Sequence, residues 1–179
     1  MTSYVIALTF PAEIEEELNV LRGKYNRYVR YSITAHLTIK KPFKMIAGLA
    51  TVNERLEAIA SRTRPFALEL DGLEYFEGTN NVAYVAIRNK KPVIDLHTDI
   101  VRSLARLVEA EYEEDYELEK FTPHVTIAEH IPDKVFPAIK QELSNYNQNY
   151  KTNIDSFTLF SQEEDAVWKP LTIFRLSGD

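Results

Sequence analysis

Two short segments of the chain carry the same pattern of side chains, and no other feature restricts its fold as much. They read Ala35-His36-Leu37-Thr38-Ile39-Lys40 and Pro123-His124-Val125-Thr126-Ile127-Ala128, each His-apolar-Thr-apolar. The chain has only four histidines, and two of them stand in this setting. Such alternation is the period of a half-buried strand, whose successive side chains point to opposite faces. His36 and Thr38 then share one face, roughly 6.6 Å apart along the strand, and Leu37 and Ile39 turn to the core. His124 and Thr126 repeat the arrangement, with Val125 and Ile127 inward. If two similar lobes face each other, two imidazoles and two hydroxyls converge in one cleft. On alternation alone Lys40 shares the face of His36 and Thr38, which makes it a further candidate for phosphate contact.

The surroundings of the two strands repeat as a pattern of elements. One unit runs strand 35–40, helix 52–63 and two strands; the other runs strand 122–128, helix 132–143 and two strands. Before them, Tyr4 to Phe10 reads as a buried strand. Pro11 opens a helix whose apolar face, Ile14, Leu18, Leu21, Tyr25 and Tyr28, reaches about residue 30. Lys41-Pro42-Phe43 breaks the first motif strand. Thr51-Val-Asn-Glu54 reads as a capping box, and Val52, Leu56, Ile59 and Ala60 form the apolar face behind it. Strands follow at Pro65 to Leu73 and Val82 to Ile87. Pro92 opens a helix with Val93, Ile94, His97, Ile100, Val101 and Leu104 inward. In the second unit, Pro137 kinks or delays the helix of residues 132–143. Ile154 to Phe160 and Val167 to Leu176 form a closing hairpin. No Gly-, Ser- or Pro-rich linker divides the 179 residues. The expectation is one bilobal α+β domain spanning 1–179, with antiparallel sheets, helices packed outside and a central groove.

Composition removes several kinds of function. There is no cysteine, hence no disulfide framework, thiolate zinc site or cysteine nucleophile. The five glycines form neither GxGxxG nor GxxxxGK[ST], which excludes the dinucleotide and P-loop cradles as motifs. The apolar run at the N-terminus is short, lacks a basic lead and meets a cluster of glutamates, unlike a signal peptide. No stretch approaches the roughly 18 apolar residues of a membrane span. A cytoplasmic, monomeric protein with no membrane partner is the default reading.

The net charge of −6 disfavours a protein that lives on the backbone of long nucleic acids. The charge is unevenly spread, however. Leu18 to Asn53 holds seven basic residues and no acid, and Glu109 to Glu119 holds seven acids and no base. The acidic run reads as a solvated helix end and loop. Arg22, Lys24, Arg27 and Arg30 suit the later turns of their helix, where the macrodipole favours cations. Lys40, Lys41 and Lys44 lack that reason.

A pair of histidines suits in-line displacement at phosphorus. Imidazole titrates near neutrality, so one ring can take a proton from the attacking oxygen while the other gives one to the leaving oxygen. Each threonine hydroxyl can donate to a non-bridging phosphate oxygen, where charge must be held. No metal and no organic cofactor is required. The other histidines point elsewhere: His97 falls on an apolar helix face and reads as structural, and His130 as a cap to the second strand. Phe43, Tyr84, Phe160 and Trp168 are candidate stacking platforms for a base, and Tyr112 and Tyr116 lie in the acidic run.

On His36-Leu-Thr38-Ile and Phe121-Thr-Pro123-His124-Val-Thr126-Ile, the chain resembles the two-histidine (2H) phosphoesterase superfamily. That group contains the 2′,5′-RNA ligase-like proteins and cyclic nucleotide phosphodiesterases. The resemblance covers essentially the whole chain, through element order and the 88-residue separation of the two histidines. It implies a bilobal fold with a central groove, and metal-independent chemistry on 2′,3′-cyclic or 2′–5′ phosphodiesters of nucleotides or RNA ends. It implies His36 and His124 as the acid–base pair and Thr38 and Thr126 as phosphate binders. The chain departs from the pattern where Ala35 replaces a common proline, and where Ala128 and Glu129 follow the second motif in place of a basic residue. The second departure argues for a small or terminal substrate. Two alternatives share the same cleft: a nucleotide- or RNA-binding module without turnover, and a 2′–5′ RNA ligase running the reaction in reverse.

Overall fold

The computed structural model describes residues 2–25, 33–111, 117–164 and 167–178. Among these residues nine strands and four α-helices follow in the order β1 (Ser3–Thr9), α1 (Ala12–Gly23), β2 (His36–Met45), α2 (Leu49–Ala60), β3 (Phe66–Phe76), β4 (Asn81–Ile87), α3 (Lys90–Leu104), β5 (Val108–Ala110), β6 (His124–Ile131), α4 (Phe136–Leu143), β7 (Asn149–Ile154), β8 (Ser156–Gln162) and β9 (Lys169–Arg175). A 3-10 turn, Leu118–Lys120, precedes β6. Two antiparallel sheets result, one ordered β5-β2-β1-β8-β9 and the other β6-β4-β3-β7. The protein is thus α+β, with one motif strand in each sheet.

The sheets do not follow the two sequence units. After β2 and α2 the chain crosses to build β3 and β4 of the second sheet, and after β6, α4 and β7 it returns to build β8 and β9 of the first. Each sheet therefore holds strands from both halves of the chain.

The main core joins one face of each sheet to the helices. Ile6, Leu8 and Leu37 of the first sheet and Leu68, Val85 and Val125 of the second are all below 2% exposed, and they cluster with Val52, Leu56, Ile100 and Ile139. The opposite faces carry two small, separate clusters. One is Val5, Ala7 and Phe160 with Ile33 and Trp168 against it. The other is Val82, Tyr84 and Ala86 with Phe76. β2 and β6 lie close together where the two sheets meet, and His36 and His124 are near enough for their charges to act on one another, so these two faces adjoin at one groove.

Several local expectations change. α1 ends at Gly23, and Tyr28, with Arg27 and Arg30, lies outside the described residues. β2 does not stop at Lys41-Pro42-Phe43 but runs on to Met45. Pro42 is tolerated there because the pairing of β1 with β2 slips by one residue between Tyr4↔Phe43 and Ile6↔Lys40, and a bulge is where a strand can spare an N–H. The capping box is not one: α2 starts at Leu49 behind Gly48, and Thr51 sits inside the first turn with its N–H on the Gly48 carbonyl. α4 begins only at Phe136, with Pro137 in its first turn, where proline removes no helical hydrogen bond. β5 and β7 had no sequence signal of their own. Among the described residues no helix is long and apolar enough to cross a membrane.

Candidate active site

Pairing registers place both motifs on the groove. Thr38 lies opposite Ala7 and His36 opposite Thr9; His124 lies opposite Ala86 and Thr126 opposite Tyr84. Paired residues share a face of the sheet, so these four side chains stand on the faces of the two small clusters. Leu37 pairs with Leu8, and Val125 with Val85, on the core side. The alternation read from the sequence holds this far.

One residue further on it fails, in the same way in both strands. The register slips between Ala7↔Thr38 and Ile6↔Lys40, and again between Tyr84↔Thr126 and Ala83↔Ala128. Ile39 and Ile127 are the extra residues of two equivalent β-bulges, which reset the in–out alternation. Lys40 consequently faces the core beside Ile6, as Ala128 does beside Ala83. It is 4% exposed and pairs with Glu117 at 2.7 Å. The expectation that Lys40 shares the face of His36 and Thr38 is therefore corrected. Lys41, which the sequence marked only as a basic residue without a helix-end reason, takes the groove side instead. Its ammonium lies within electrostatic reach of Glu117 and Glu129, and its charge acts on His124.

The imidazoles are held alike. His36 Nδ1 is 2.7 Å from the Thr34 carbonyl oxygen, and His124 Nδ1 is 2.7 Å from the Thr122 carbonyl oxygen. A carbonyl only accepts, so in each ring Nδ1–H donates and the lone pair of the neutral imidazole sits on Nε2. Burial pushes His36 down to about 4, against the pull of the Thr34 carbonyl; the positive charge of Arg22, and that of His124 when its ring is protonated, lower it further. Burial likewise lowers His124, the Thr122 carbonyl opposes this, and Lys41 adds to it. Both rings are thus neutral in the free protein near pH 7. An entering anion would raise both affinities for a proton.

A side-chain network fixes the approach to the first motif. Arg22, 2% exposed, donates to Asn19 Oδ1 at 3.1 Å and to the Ile33 carbonyl at 3.2 Å, and Asn19 Oδ1 also accepts the Ala35 N–H at 2.8 Å. Sequence reasoning gave Arg22 only a helix-end role and passed over Asn19; neither has a motif. Thr34 and Thr122 did have one, since threonine stands two residues before both histidines.

On the second sheet Phe76 and Tyr84 stack at 4.3 Å, and the centroid of each lies 5.2 Å from that of His124. Tyr84 donates to Glu74 at 3.1 Å. Of the four stacking candidates, Tyr84, Phe160 and Trp168 belong to the groove clusters. Phe43 is fully buried in the core and is removed; Phe76 was missed. Tyr112 and Tyr116 lie outside the described residues. His97 is structural: 1% exposed, it bonds through Nδ1 to the Ile39 carbonyl, accepts the Leu118 N–H at 2.9 Å on Nε2 and stacks on Phe121. His130 is exposed at a positive φ of 54°, with its N–H on Asn80. Among the described residues no three of His, Cys, Asp and Glu gather closely enough to hold a metal ion.

Residues 10–166 match the model of the 2′-5′ RNA ligase superfamily. A protein of Oceanobacillus iheyensis named "Putative phosphoesterase OB1230" is 31% identical over 98% of this chain and 99% of its own. A Bacillus cereus protein described as a "Putative phosphoesterase" is 30% identical over 93% of each chain. Among solved structures, E. coli LigT in complex with 3′-AMP superposes with a TM-score of 0.67 at 20% identity over 98% of both chains. TT0787 of Thermus thermophilus gives 0.67 at 18% identity over 99% of both. At such identities these two likenesses bear on the fold.

Proposed function

The chain belongs to the 2′-5′ RNA ligase superfamily, a family of phosphoesterases, and from that premise we propose that it hydrolyses 2′,3′-cyclic or 2′–5′ phosphodiester bonds of nucleotides or RNA ends without a metal ion. What supports this reading is the matched pair of imidazoles, each pinned through Nδ1 to the carbonyl two residues before it, on strands that face one groove. The pinning presents the basic Nε2 of each ring in a fixed direction.

In the proposed reaction one Nε2 takes a proton from water as the water oxygen bonds to phosphorus. The P–O bond to the leaving ribose oxygen breaks in line, and the other imidazole, protonated beforehand, gives its proton to that oxygen. The proton count balances: one imidazole ends charged and the other neutral. Since burial holds both rings neutral, the acid acquires its proton as the anionic phosphate enters. Thr38 and Thr126, one residue pair from each histidine on the same faces, donate to the non-bridging oxygens.

Hydrolysis is tested on a panel of 2′,3′-cyclic nucleotides, 2′–5′ dinucleotides and cyclic-phosphate-ended RNA, with EDTA present. Turnover that disappears in both His36→Ala and His124→Ala supports the reading. Turnover that needs an added divalent ion, or that survives either substitution, overturns it.

A further inference from the structure

The two bulges do more than bury Lys40. Past the extra isoleucine, each motif strand returns a different residue to the groove: Lys41 from β2 and Glu129 from β6, each five positions after its histidine. The halves of the groove are therefore alike in their histidines and threonines and opposite in the charge that follows. Lys41 is half-buried and stands within reach of both Glu129 and Glu117. Glu117 cannot swing away, because its carboxylate is fixed at 2.7 Å by the buried Lys40. The bulge thus sorts two adjacent lysines into different tasks. Lys40 is a core anchor for Glu117, and Lys41 is a cation on the groove whose field reaches His124.

Resting on the function proposed above, we propose that Lys41 binds the substrate's scissile phosphate, with Glu117 and Glu129 holding its ammonium toward the second motif. A phosphate entering between the two histidines meets one lysine and two carboxylates beside it. The ammonium offers three donors to a non-bridging oxygen. The carboxylates offset the charge that a long polyanion would need, so the groove accepts a single phosphate better than a run of them. Substrates of this kind are mononucleoside 2′,3′-cyclic phosphates and single chain ends.

The test compares Lys41→Gln and Lys40→Gln with wild type, on 2′,3′-cyclic AMP as the probe. Removal of a charged donor to phosphate should raise KM or lower kcat/KM by about 10- to 100-fold in Lys41→Gln, with an unchanged melting temperature. Lys40→Gln should melt earlier and, acting on Lys41 only through the loosened Glu117, should raise KM less than Lys41→Gln does. An independent readout needs no turnover: in Lys41→Gln the His124 ring, followed by NMR, should titrate at higher pH than in wild type, and inorganic phosphate should bind more weakly. If the two histidine variants are dead while Lys41→Gln keeps its KM and its phosphate affinity, the assignment of Lys41 is overturned and the two-histidine reading stands. If the histidine variants are active, the underlying reading fails first.

Discussion

At the scale of single residues, the two histidines set the pH behaviour. Folding holds His36 near 4, below the ordinary imidazole value of about 6.5. The unfolded chain then binds more protons than the folded one between those values, so stability rises with pH across that window and is complete above it. His124 is displaced in the same direction. Chemical denaturation from pH 4 to 7 should show this rise, and His36→Gln should flatten it; an equal slope in wild type and variant would assign the effect to other groups. In catalysis, replacing His36 or His124 by alanine should cost about 10²–10⁴ in turnover. The double variant should be little worse than either single one, because groups that act as a unit are not additive. Rate should fall on both sides of an optimum, and the two limbs belong to the coupled pair. Under the proposed function Asn19, whose Oδ1 accepts from Arg22 and the Ala35 N–H, is expected to act as a positioning residue. Asn19→Ala frees the Ala35 N–H and one Arg22 contact, and should lower kcat more than it raises KM, with about 1–3 kcal/mol lost from stability.

At the scale of elements, the bulges decide which residue does what. A strict two-residue period is a property of an undistorted strand, and nothing local announces that Ile39 and Ile127 are surplus; the partner strands impose the slip. Sequence therefore placed His36, Thr38, His124 and Thr126 on the groove and misplaced Lys40 by one step. The buried Lys40–Glu117 pair makes its own prediction. Lys40→Met leaves a carboxylate without its partner and should destabilise the protein by about 3–5 kcal/mol. Lys40→Met with Glu117→Leu removes both charges and should recover most of that loss in urea denaturation. Failure of the double variant to recover would show that the pair does more than neutralise itself.

At the scale of the whole molecule, the interleaving of strands from both halves in each sheet leads us to expect that the two halves unfold as one unit. β8 and β9 complete the sheet begun by β1 and β2, and β3 and β4 form the sheet finished by β6 and β7. Neither half can close its core alone. A single calorimetric transition is expected, with calorimetric and van't Hoff enthalpies equal; two separable transitions would mean that the lobes fold independently. What the sequence by itself determined was local and periodic: the nature of most elements, the two motif strands, and the face of each that carries His and Thr, because side-chain direction in a regular strand needs no knowledge of its partner. Only the tertiary structure decided which strands share a sheet, that a bulge follows each threonine, that Lys41 and not Lys40 reaches the groove, and that Thr34, Thr122, Asn19 and Arg22 fix the first and second histidines and their approach. Those outcomes rest on pairing between residues far apart in the chain, and the energy of such pairing is set by packing that no single segment contains.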